Sequence, residues 1–527
     1  MAIQTHSSQE YWQNLNFKES DIQVLADHLF ETEDPQTLDA LLGVLVRKHI
    51  AERKRALEKE KAERGRQYLP KETYIVGESI VLPQFAWEQA EVTAVREGSN
   101  PELPPFSVIS VKTAEGETYE LAANLPKHAL NSAGDLESKA GEDSPESVLK
   151  TYGSSLRGKL RKALDGQNDL IRLGYTWFPK SLLIDISQGH LNLIEAILET
   201  QNGGPVGTGE LLDQLELKSS DSRKLLEFSL NYALQEDPRF DEVGTTGVFA
   251  WFLKRLEPKY VLETPVWLRL ETNPVDLSEL SADEEQALQE INDEFVAELD
   301  AEPLPTETGT VQVALSYPHW RAGSLPITPA TAAIFPSALE TEHVKLTLRD
   351  TQSGQEISAW EVRPERYVIG LRDWYLEKGL IPGSIVEITL TDDPGVIDIA
   401  AEKKSSNKEW IKTLLVGADG GLVLALLRQS INAGFNERMA IAIPDPAALD
   451  RVWEERADCK IQLRTDVNRM VNELSKLNNQ RHVHLVDLYA AVNLIRRAAP
   501  QDILAVLAQS EDIQHVGDNY YHLKESA

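Results

Sequence analysis

Cysteine is almost missing from this sequence: Cys459 is the only one among 527 residues. A single cysteine excludes an intramolecular disulfide and any metal site built from several thiolates. It agrees with a reducing compartment, so we expect a cytoplasmic protein. Long apolar runs are missing too, because the longest, such as Leu422–Leu427, fall far below the roughly 18 residues that span a bilayer. Residues 1–15 show no basic patch followed by an apolar core, so we expect neither a signal peptide nor a membrane partner.

Positive charge is also scarce. The chain has 53 Lys and Arg against 84 Asp and Glu, a formal net charge of −31. Much of the excess is local, because residues 271–307 hold 13 acidic residues and no Lys or Arg. Such an acidic chain repels phosphate backbones over long range, which argues against non-specific coating of nucleic acid. Local basic faces remain compatible with this charge.

Several motifs of catalysis and cofactor binding are absent, namely GxxxxGK[ST], GxGxxG, HExxH and GxSxG. The glycine-rich run Gly203–Gly209 lacks a Lys and is more simply a turn between helices. His482 and His484 alternate as in a strand, but no third ligand is near in sequence, so no metal site is predicted there. We therefore expect no cofactor, no small-molecule substrate and no enzymatic activity.

One enzyme alternative stays open. Asp393, followed by Glu402 and Lys404, fits the loose D…ExK spacing in which two carboxylates hold Mg²⁺ and a lysine positions water. This pattern arises often by chance. A metal-dependent nuclease is therefore the second alternative function.

The most informative stretch runs from His190 to Pro258. Its apolar spacing predicts two or three short helices followed by a hairpin, with Ser219 or Ser220 capping the last helix. This order of elements is typical of a winged helix, whose last helix is the recognition helix. The pattern favours molecular recognition over catalysis.

The sequence motif of this hairpin occurs three times. Each copy has an apolar residue and a glycine, then a short turn and aromatic residues, and each follows a helix that ends in an Ala/Leu segment. The copies are Leu173-Gly174 with Trp177 and Phe178, Val243-Gly244 with Trp251 and Phe252, and Val516-Gly517 with Tyr520 and Tyr521. We interpret them as an internal repeat of winged-helix endings. Three unrelated amphipathic hairpins are the alternative.

The central copy resembles the HARE-HTH type of winged-helix domain, found in the bacterial RNA polymerase delta subunit and in chromatin- and restriction-associated proteins. The resemblance covers about 70 residues and rests on Asp237, Arg239, Phe240, Val243, Gly244, Trp251 and Phe252. It implies binding of DNA or of transcription machinery. The predicted recognition helix, however, offers only Arg223 and Lys224 before it turns apolar and acidic, so a protein partner is as well supported as DNA.

A chain of this length predicts three to five domains. We expect an α+β multidomain fold that combines winged-helix modules, small β-barrels and an N-terminal helical region. The expected segments are a helical region with a basic arm at 1–70, a small SH3-like β-barrel at 71–130, a winged-helix-like segment at 148–183, a winged helix at 184–258, an acidic linker or helix at 259–310, a β-barrel at 311–402, a mixed helical region at 403–480 and a winged-helix-like segment at 481–527.

Segments outside the repeats carry further clues. Asp34 and Pro35 predict a helix start, and the helix continues into a basic arm that meets phosphate or an acidic partner, or is simply solvated. The acidic stretch 271–307 either docks a protein partner or serves as a spacer. Residues 311–402 resemble B3-like pseudobarrels, several of which bind DNA; the residues to watch are Arg363, Arg366, Arg372, Trp374 and Lys378.

The function favoured by these patterns is that of a non-enzymatic protein that binds nucleic acid or associates with transcription or chromosome machinery. The alternative is an acidic interaction scaffold without nucleic-acid contact. The predicted nucleic-acid-binding residues lie on the central module, just upstream of it, and in a basic cluster around an aromatic residue. They are Arg157, Lys159, Arg161, Lys162, Arg223, Lys224, Lys254, Arg255, Lys403, Lys404, Lys408 and Trp410. For the last cluster, a solvated loop is the alternative.

Overall fold

The computed structural model describes residues 8–64, 66–85, 88–100, 103–131, 144–215, 222–245, 247–270, 282–296, 309–335, 341–393, 395–418, 420–457, 459 and 461–524. The chain is an α+β multidomain protein that divides into two compact units, Met1–Leu183 and Ile184–Ala527. Among the described residues, no helix has the length and apolar character needed to cross a bilayer.

The helices and strands of the first unit follow in chain order. The helices are α1 (Ser8–Asn14), α2 (Glu19–Thr32), α3 (Leu38–Arg64) and α4 (Pro145–Asp165). The strands are β1 (Gln36–Thr37), β2 (Arg66–Gln67), β3 (Ser79–Leu82), β4 (Glu88–Glu97), β5 (Ser107–Thr113), β6 (Thr118–Ala123), β7 (Leu170–Leu173) and β8 (Thr176–Pro179).

The second unit is longer and richer in strands. Its helices are α5 (Gln188–Thr200), α6 (Thr208–Leu215), α7 (Arg223–Gln235), α8 (Lys259–Leu262), α9 (Ala282–Ile291), α10 (Tyr317–Ala322), α11 (Arg372–Glu377), α12 (Pro446–Ala457), α13 (Leu463–Ser475), α14 (Leu485–Val492) and α15 (Pro500–Ala508). Its strands are β9 (Val206–Gly207), β10 (Phe240–Glu242), β11 (Ala250–Leu253), β12 (Thr310–Ala314), β13 (Ser324–Pro326), β14 (His343–Asp350), β15 (Glu356–Val362), β16 (Tyr367–Ile369), β17 (Ile385–Leu390), β18 (Val396–Ala401), β19 (Lys403–Val416), β20 (Leu422–Ala433), β21 (Ile441–Ala442), β22 (Val483–His484), β23 (Ile513–Gly517) and β24 (Tyr520–Leu523).

Three small sheets share one topology. In each, a two-residue strand precedes a helix and pairs with the second strand of a later hairpin, giving the orders β1-β8-β7, β9-β11-β10 and β22-β24-β23. The elements also follow one order along the chain: helix, short strand, helix, helix, hairpin. We call these sets the first repeat (α2, β1, α3, α4, β7, β8), the second repeat (α5, β9, α6, α7, β10, β11) and the third repeat (α13, β22, α14, α15, β23, β24).

The aromatic residues of the three hairpins occupy matching positions. Trp177 pairs with Gln36, Trp251 with Val206, and Tyr521 with Val483, and all three aromatic side chains are buried. Glycine is required in the three hairpin motifs for two different structural reasons. Gly174 and Gly517 turn the chain at positive φ, which glycine adopts without steric cost. Gly244 is needed for close approach, because a Cβ there would lie 1.9 Å from the Val248 carbonyl oxygen.

The first repeat is assembled from two distant segments. Residues 1–70 and 148–183 are predicted to be separate regions, but Leu41 and Leu45 of α3 share a core with Leu156 and Leu160 of α4. Between α3 and α4 the chain forms the five-stranded sheet β2-β3-β4-β5-β6, which has its own apolar core. The helix α3 begins at Leu38 rather than at Pro35, and the Thr37 hydroxyl accepts a hydrogen bond from the Ala40 amide at 3.3 Å.

Seven strands, from β12 to β18, form a barrel-like sheet in the order β12-β17-β18-β14-β15-β16-β13. Strands β14 and β18 are parallel, and the other neighbours are antiparallel. Four of the five candidate residues named for this segment form contacts within the protein or are buried. Arg363 contacts Glu361 and Lys378 contacts Asp350, Arg366 donates to the Glu294 carbonyl, and Trp374 is buried.

The segment after this sheet differs from the predicted mixed helical region. Strands β19 and β20 pair over most of their length and form a long antiparallel hairpin. A leucine-rich run such as Leu422–Leu427 has no alternation that would separate a strand from a helix by sequence alone. Helical structure begins only with α12 at Pro446.

Candidate nucleic-acid interface

Helix α4 of the first repeat combines a buried face with an exposed basic face. The Ser144 hydroxyl caps the helix by accepting a hydrogen bond from the Ser147 amide at 3.1 Å, and Pro145 occupies the first helical position. The apolar face, with Leu156, Leu160 and Leu164, is buried in the core of the repeat. The opposite face is exposed and carries Lys150, Thr151, Ser154, Ser155, Arg157, Gly158, Arg161 and Lys162.

The charges on α4 are unevenly distributed along and around the helix. The helix has five Lys or Arg and two acidic residues, and the acidic residues, Glu146 and Asp165, lie at its two ends. Arg157 contacts Asp39 at 2.5 Å, but this pair is exposed and contributes little to stability. The Arg161–Asp165 pair is long, at 3.8 Å. Four cations therefore line one solvent-facing side of the helix.

Lys159 does not belong to this surface. Its Nζ donates hydrogen bonds to the carbonyl oxygens of Gln13 and Leu15, each at 2.8 Å, and so connects α4 to the C-terminal end of α1. Of the four residues predicted on this helix, Arg157, Arg161 and Lys162 share the exposed face, whereas Lys159 has a structural contact. Lys150 is on the same face and was not predicted from the sequence.

The hairpin that follows α4 presents an aromatic residue at its tip. Tyr175 lies in the turn between β7 and β8, beside Gly174, and is 47% exposed. Arg172 on β7 lies 3.9 Å from Asp165. The hairpin therefore adds an exposed ring and a cation close to the C-terminal end of α4.

The corresponding helix of the second repeat, α7, is enclosed on most sides. It begins after Ser222 rather than at the predicted Ser219 or Ser220, which lie outside the described residues. Leu230 and Leu234 belong to the core of the repeat, and Leu225 and Phe228 on another side are buried as well. Ser229 accepts a hydrogen bond from the Ile184 amide at 3.0 Å, so the chain preceding α5 passes along this helix. The exposed side chains of α7 are Arg223, Lys224 and Gln235.

The arginines predicted to bind phosphate on the second repeat are occupied by carboxylates. Arg223 contacts Asp213 at 2.7 Å and Glu227 at 3.0 Å, and it lowers the pKa of Asp213 through their hydrogen bond. Arg255 contacts Glu195 at 3.4 Å and also pairs with Glu199. Lys254 is exposed. Residues 184–258 contain 13 acidic and 6 basic residues, so the field around this repeat is repulsive to phosphate.

The third repeat buries its corresponding helix, α15, even more completely. Ile503, Leu504 and Leu507 are buried, and Gln501 donates to the carbonyl of Phe295 at 2.8 Å. Arg497, just before α15, is fully buried between Asp293 at 2.8 Å and Glu294 at 2.7 Å. Part of the acidic stretch is therefore an internal counter-charge rather than a spacer; residues 271–281 and 297–307 of it lie outside the described residues.

A second basic surface lies on the hairpin β19–β20. Lys403 and Lys408 are exposed, and Trp410, which is 67% exposed, pairs across the hairpin with Arg428. The side chain of Lys404 lies outside the described residues. The predicted region is mixed helical, with a solvated loop as the alternative for this cluster, but these positions belong to a strand. Lys412 on the same strand pairs with Asp487.

The structure separates the carboxylates of the nuclease alternative. Asp393 precedes β18 and Glu402 follows it, so about 20 Å of extended strand lies between them. They do not converge on one ion. His482 and His484 also have separate surroundings: the His482 ring stacks on His522 at 5.8 Å between centroids, and His484 Nδ1 accepts a hydrogen bond from the Val486 amide at 3.2 Å.

Two other features of the second unit were not visible in the sequence. A cavity of about 580 Å³ is lined by residues around α8, α10 and α11, including Arg372. In it, Arg321 stacks over Trp267 at 4.5 Å and pairs with Asp450. The second feature is a cluster of Asp241, Glu257 and His343, whose ligand atoms all lie within 4.8 Å of one another. The residues of this cluster are too far apart in sequence for any spacing rule to join them.

No model of a known protein family matches this chain, and no curated protein sequence matches it significantly.

Proposed function

We propose that this chain is a non-enzymatic protein that binds duplex nucleic acid through the exposed face of α4. One observation carries the proposal: among the third helices of the three repeats, α4 keeps a solvent-facing side, and that side holds four cations and three hydroxyl groups. Lysine and arginine supply most of the affinity for a phosphate backbone, and hydroxyl groups add hydrogen bonds to phosphate oxygens.

We further propose that the three repeats are winged-helix modules. The common order of helix, short strand, helix, helix and hairpin supports this, together with the shared sheet order and the resemblance of the second repeat to HARE-HTH domains. In a winged helix the third helix enters the major groove. In the first repeat that helix is α4, so the position of the basic face agrees with the docking geometry of the class.

The charge of the whole chain limits how this interface works. With four phosphate contacts, the logarithm of the binding constant falls against the logarithm of salt concentration with a slope of about −3.6. Affinity then drops about a hundredfold between 50 and 200 mM salt. Because the chain as a whole carries a formal net charge of −31, we expect little binding outside its local basic surfaces.

The composition of the face indicates modest sequence preference. The exposed side has no Asn or Gln, which are the usual partners of adenine, and its Ser and Thr side chains do not discriminate strongly between bases. Arg161 is the residue best placed to contact a guanine, because Arg157 shares its guanidinium with Asp39. Most contacts would therefore go to the backbone.

The test compares two matched double variants of the full chain. Arg161→Ala with Lys162→Ala removes two charges from α4, and Arg223→Ala with Lys224→Ala removes two charges from α7, so both proteins have the same net charge. Binding to random-sequence duplex DNA is measured by fluorescence anisotropy across a salt series. We expect the slope to fall by about 2 in the α4 variant and to stay unchanged in the α7 variant.

Thermal unfolding of both variants provides the folding control. Equal losses of slope in the two variants would contradict the assignment to α4. No binding of wild-type protein at low salt would overturn the nucleic-acid proposal and favour the alternative of an acidic protein-interaction scaffold.

A further inference from the structure

Three chemically suited side chains meet where the second repeat packs against the seven-stranded sheet. Asp241 comes from β10, Glu257 follows β11, and His343 is the first residue of β14. His343 Nδ1 lies 3.0 Å from an Asp241 carboxylate oxygen and 3.5 Å from a Glu257 carboxylate oxygen. One imidazole nitrogen therefore faces two carboxylates at once.

The backbone around the cluster is held on both sides. The Lys345 amide donates to the Val243 carbonyl at 2.9 Å, and the Thr341 hydroxyl donates to the Glu242 carbonyl. Below the cluster, Val243 and Phe252 of the second repeat share an apolar core with strands β15 and β16. Asp241 and His343 thus lie on packed strands, and Glu257 lies in the short turn between β11 and α8 with a fully buried side chain. All three side chains are held in place, as a pre-organised ligand site requires.

Glu257 is the observation that points to a ligand. Its side chain is fully buried, and neither carboxylate oxygen accepts a hydrogen bond from the residues that the structure describes. A buried carboxylate without hydrogen bonds is costly. The nearest polar atom of His343, Nδ1, lies 3.5 Å from Glu257 and also faces Asp241 at 3.0 Å. A cation bound between the three side chains would offset the cost of burying both carboxylates.

We propose that Asp241, Glu257 and His343 bind a divalent transition-metal ion of the zinc type. Zinc ligands lie about 2.0–2.2 Å from the ion, so neighbouring ligands of a tetrahedral site are about 3.3–3.6 Å apart. The nitrogen–oxygen distances of 3.0 and 3.5 Å approach that spacing without rearrangement of the backbone. A neutral imidazole and two carboxylates also balance the charge of one divalent cation.

The ion would have a structural role. It would join β10 of the second repeat to β14 of the large sheet, and its binding free energy would add to the stability of their packing. The competing explanation is a buried ion pair, in which the proton on Nδ1 takes the place of the metal. The two explanations differ in metal content and in the response of stability to added ion.

The experiment uses the full chain after removal of metal with a chelator. Zinc is added back and bound zinc is measured by elemental analysis after gel filtration, for wild type, His343→Ala and, as a control, His515→Ala on exposed strand β23. We expect one equivalent in wild type and in His515→Ala, and none in His343→Ala. Added zinc should also raise the melting temperature of wild type and of His515→Ala, and leave that of His343→Ala unchanged.

A second variant keeps the test valid if His343→Ala does not fold. Glu257→Gln preserves the size of the side chain but removes its charge, and we expect at least a tenfold loss of zinc affinity. Wild-type protein that binds no zinc, or a Glu257→Gln protein with wild-type affinity, would overturn the proposal and leave the buried ion pair.

Discussion

Helices α4 and α7 are the third helices of the first and second repeats and precede equivalent hairpins, but they differ in how much of their surface is exposed. Helix α4 buries one face and exposes a basic one, whereas α7 is covered on most sides. The cause is in the side chains: α7 carries Leu225 and Phe228 on a side away from the main core, and both are buried. A shared topology therefore does not transfer a binding face from one repeat to another.

The polar interior of the second repeat reinforces this difference. Asn231 on α7 accepts a hydrogen bond from the Trp251 indole at 3.0 Å and another from the Thr208 hydroxyl at 2.5 Å, all of them buried. Such a network fixes the helix within the repeat and leaves it little freedom to adjust to a groove. The third helices of the second and third repeats are thus held by buried contacts, whereas α4 of the first repeat keeps an exposed basic face.

The largest expected effect concerns the buried helix α15 of the third repeat. Arg497→Met would leave Asp293 and Glu294 buried without their cation, which costs about 3–5 kcal/mol. We expect a large decrease in the free energy of unfolding, measured with urea and tryptophan fluorescence. The control, Arg464→Met on the exposed side of α13, should change it by less than about 0.5 kcal/mol. Wild-type stability of Arg497→Met would show that the third repeat does not depend on this buried ion pair.

An intermediate effect is expected for two lysines of α4, one of which stabilises the fold while the other belongs to the proposed binding face. Lys159→Ala removes the two hydrogen bonds to the Gln13 and Leu15 carbonyls, so we expect a loss of about 1–2 kcal/mol in unfolding free energy with an unchanged salt slope for duplex binding. Lys162→Ala should behave in the opposite way, with unchanged stability and a slope smaller by about 0.9. A reduced slope for Lys159→Ala would place this lysine in the contact surface.

The smallest expected effect concerns the N-terminal caps of α3 and α14, which are the second helices of the first and third repeats. Thr37 caps α3 with a hydroxyl, whereas His484 caps α14 with Nδ1, which must be unprotonated to accept the Val486 amide. Burial, together with the charges of Arg438 and Lys412, lowers the pKa of His484 to about 4. Because the folded pKa is below the ordinary value of 6.5, this stabilisation is present above pH 6.5 and is lost as the pH falls toward 4.

We therefore expect His484→Thr to reduce the loss of stability between pH 7 and pH 4 by about 1 kcal/mol, the usual value of a helix cap. Thr37→Ala serves as the matched control and should cost a similar amount at both pH values. The measurement is the urea midpoint at each pH. An unchanged pH dependence in His484→Thr would mean that the cap does not titrate in this range.

The sequence predicted the hairpins better than the repeats that contain them. The glycine and aromatic phrase depends on neighbouring residues, and its three copies end in buried aromatic residues at matching sheet positions. The first repeat, in contrast, joins Gln36 to Trp177 across an inserted sheet. Contacts between such distant segments leave no periodic pattern, so residues 1–70 were assigned to a region of their own.

The candidate site was only partly accessible from the sequence for the same reason. Arg161 and Lys162 stand out as a basic run, but the exposure of a helix face is decided by the segments that pack against it. The Ile184 amide on Ser229 of α7 is such a tertiary contact. Lys159 shows the converse, because a lysine inside a basic run can be used to hold backbone carbonyls.

We propose that α4, and not α7, contacts nucleic acid. The most direct test is lysine acetylation of the full chain, with and without duplex DNA at low salt, read by mass spectrometry. We predict that DNA protects Lys150 and Lys162 and leaves Lys224 and Lys254 as reactive as before. Protection of Lys224 and Lys254 with unchanged reactivity at Lys150 and Lys162 would contradict the claim.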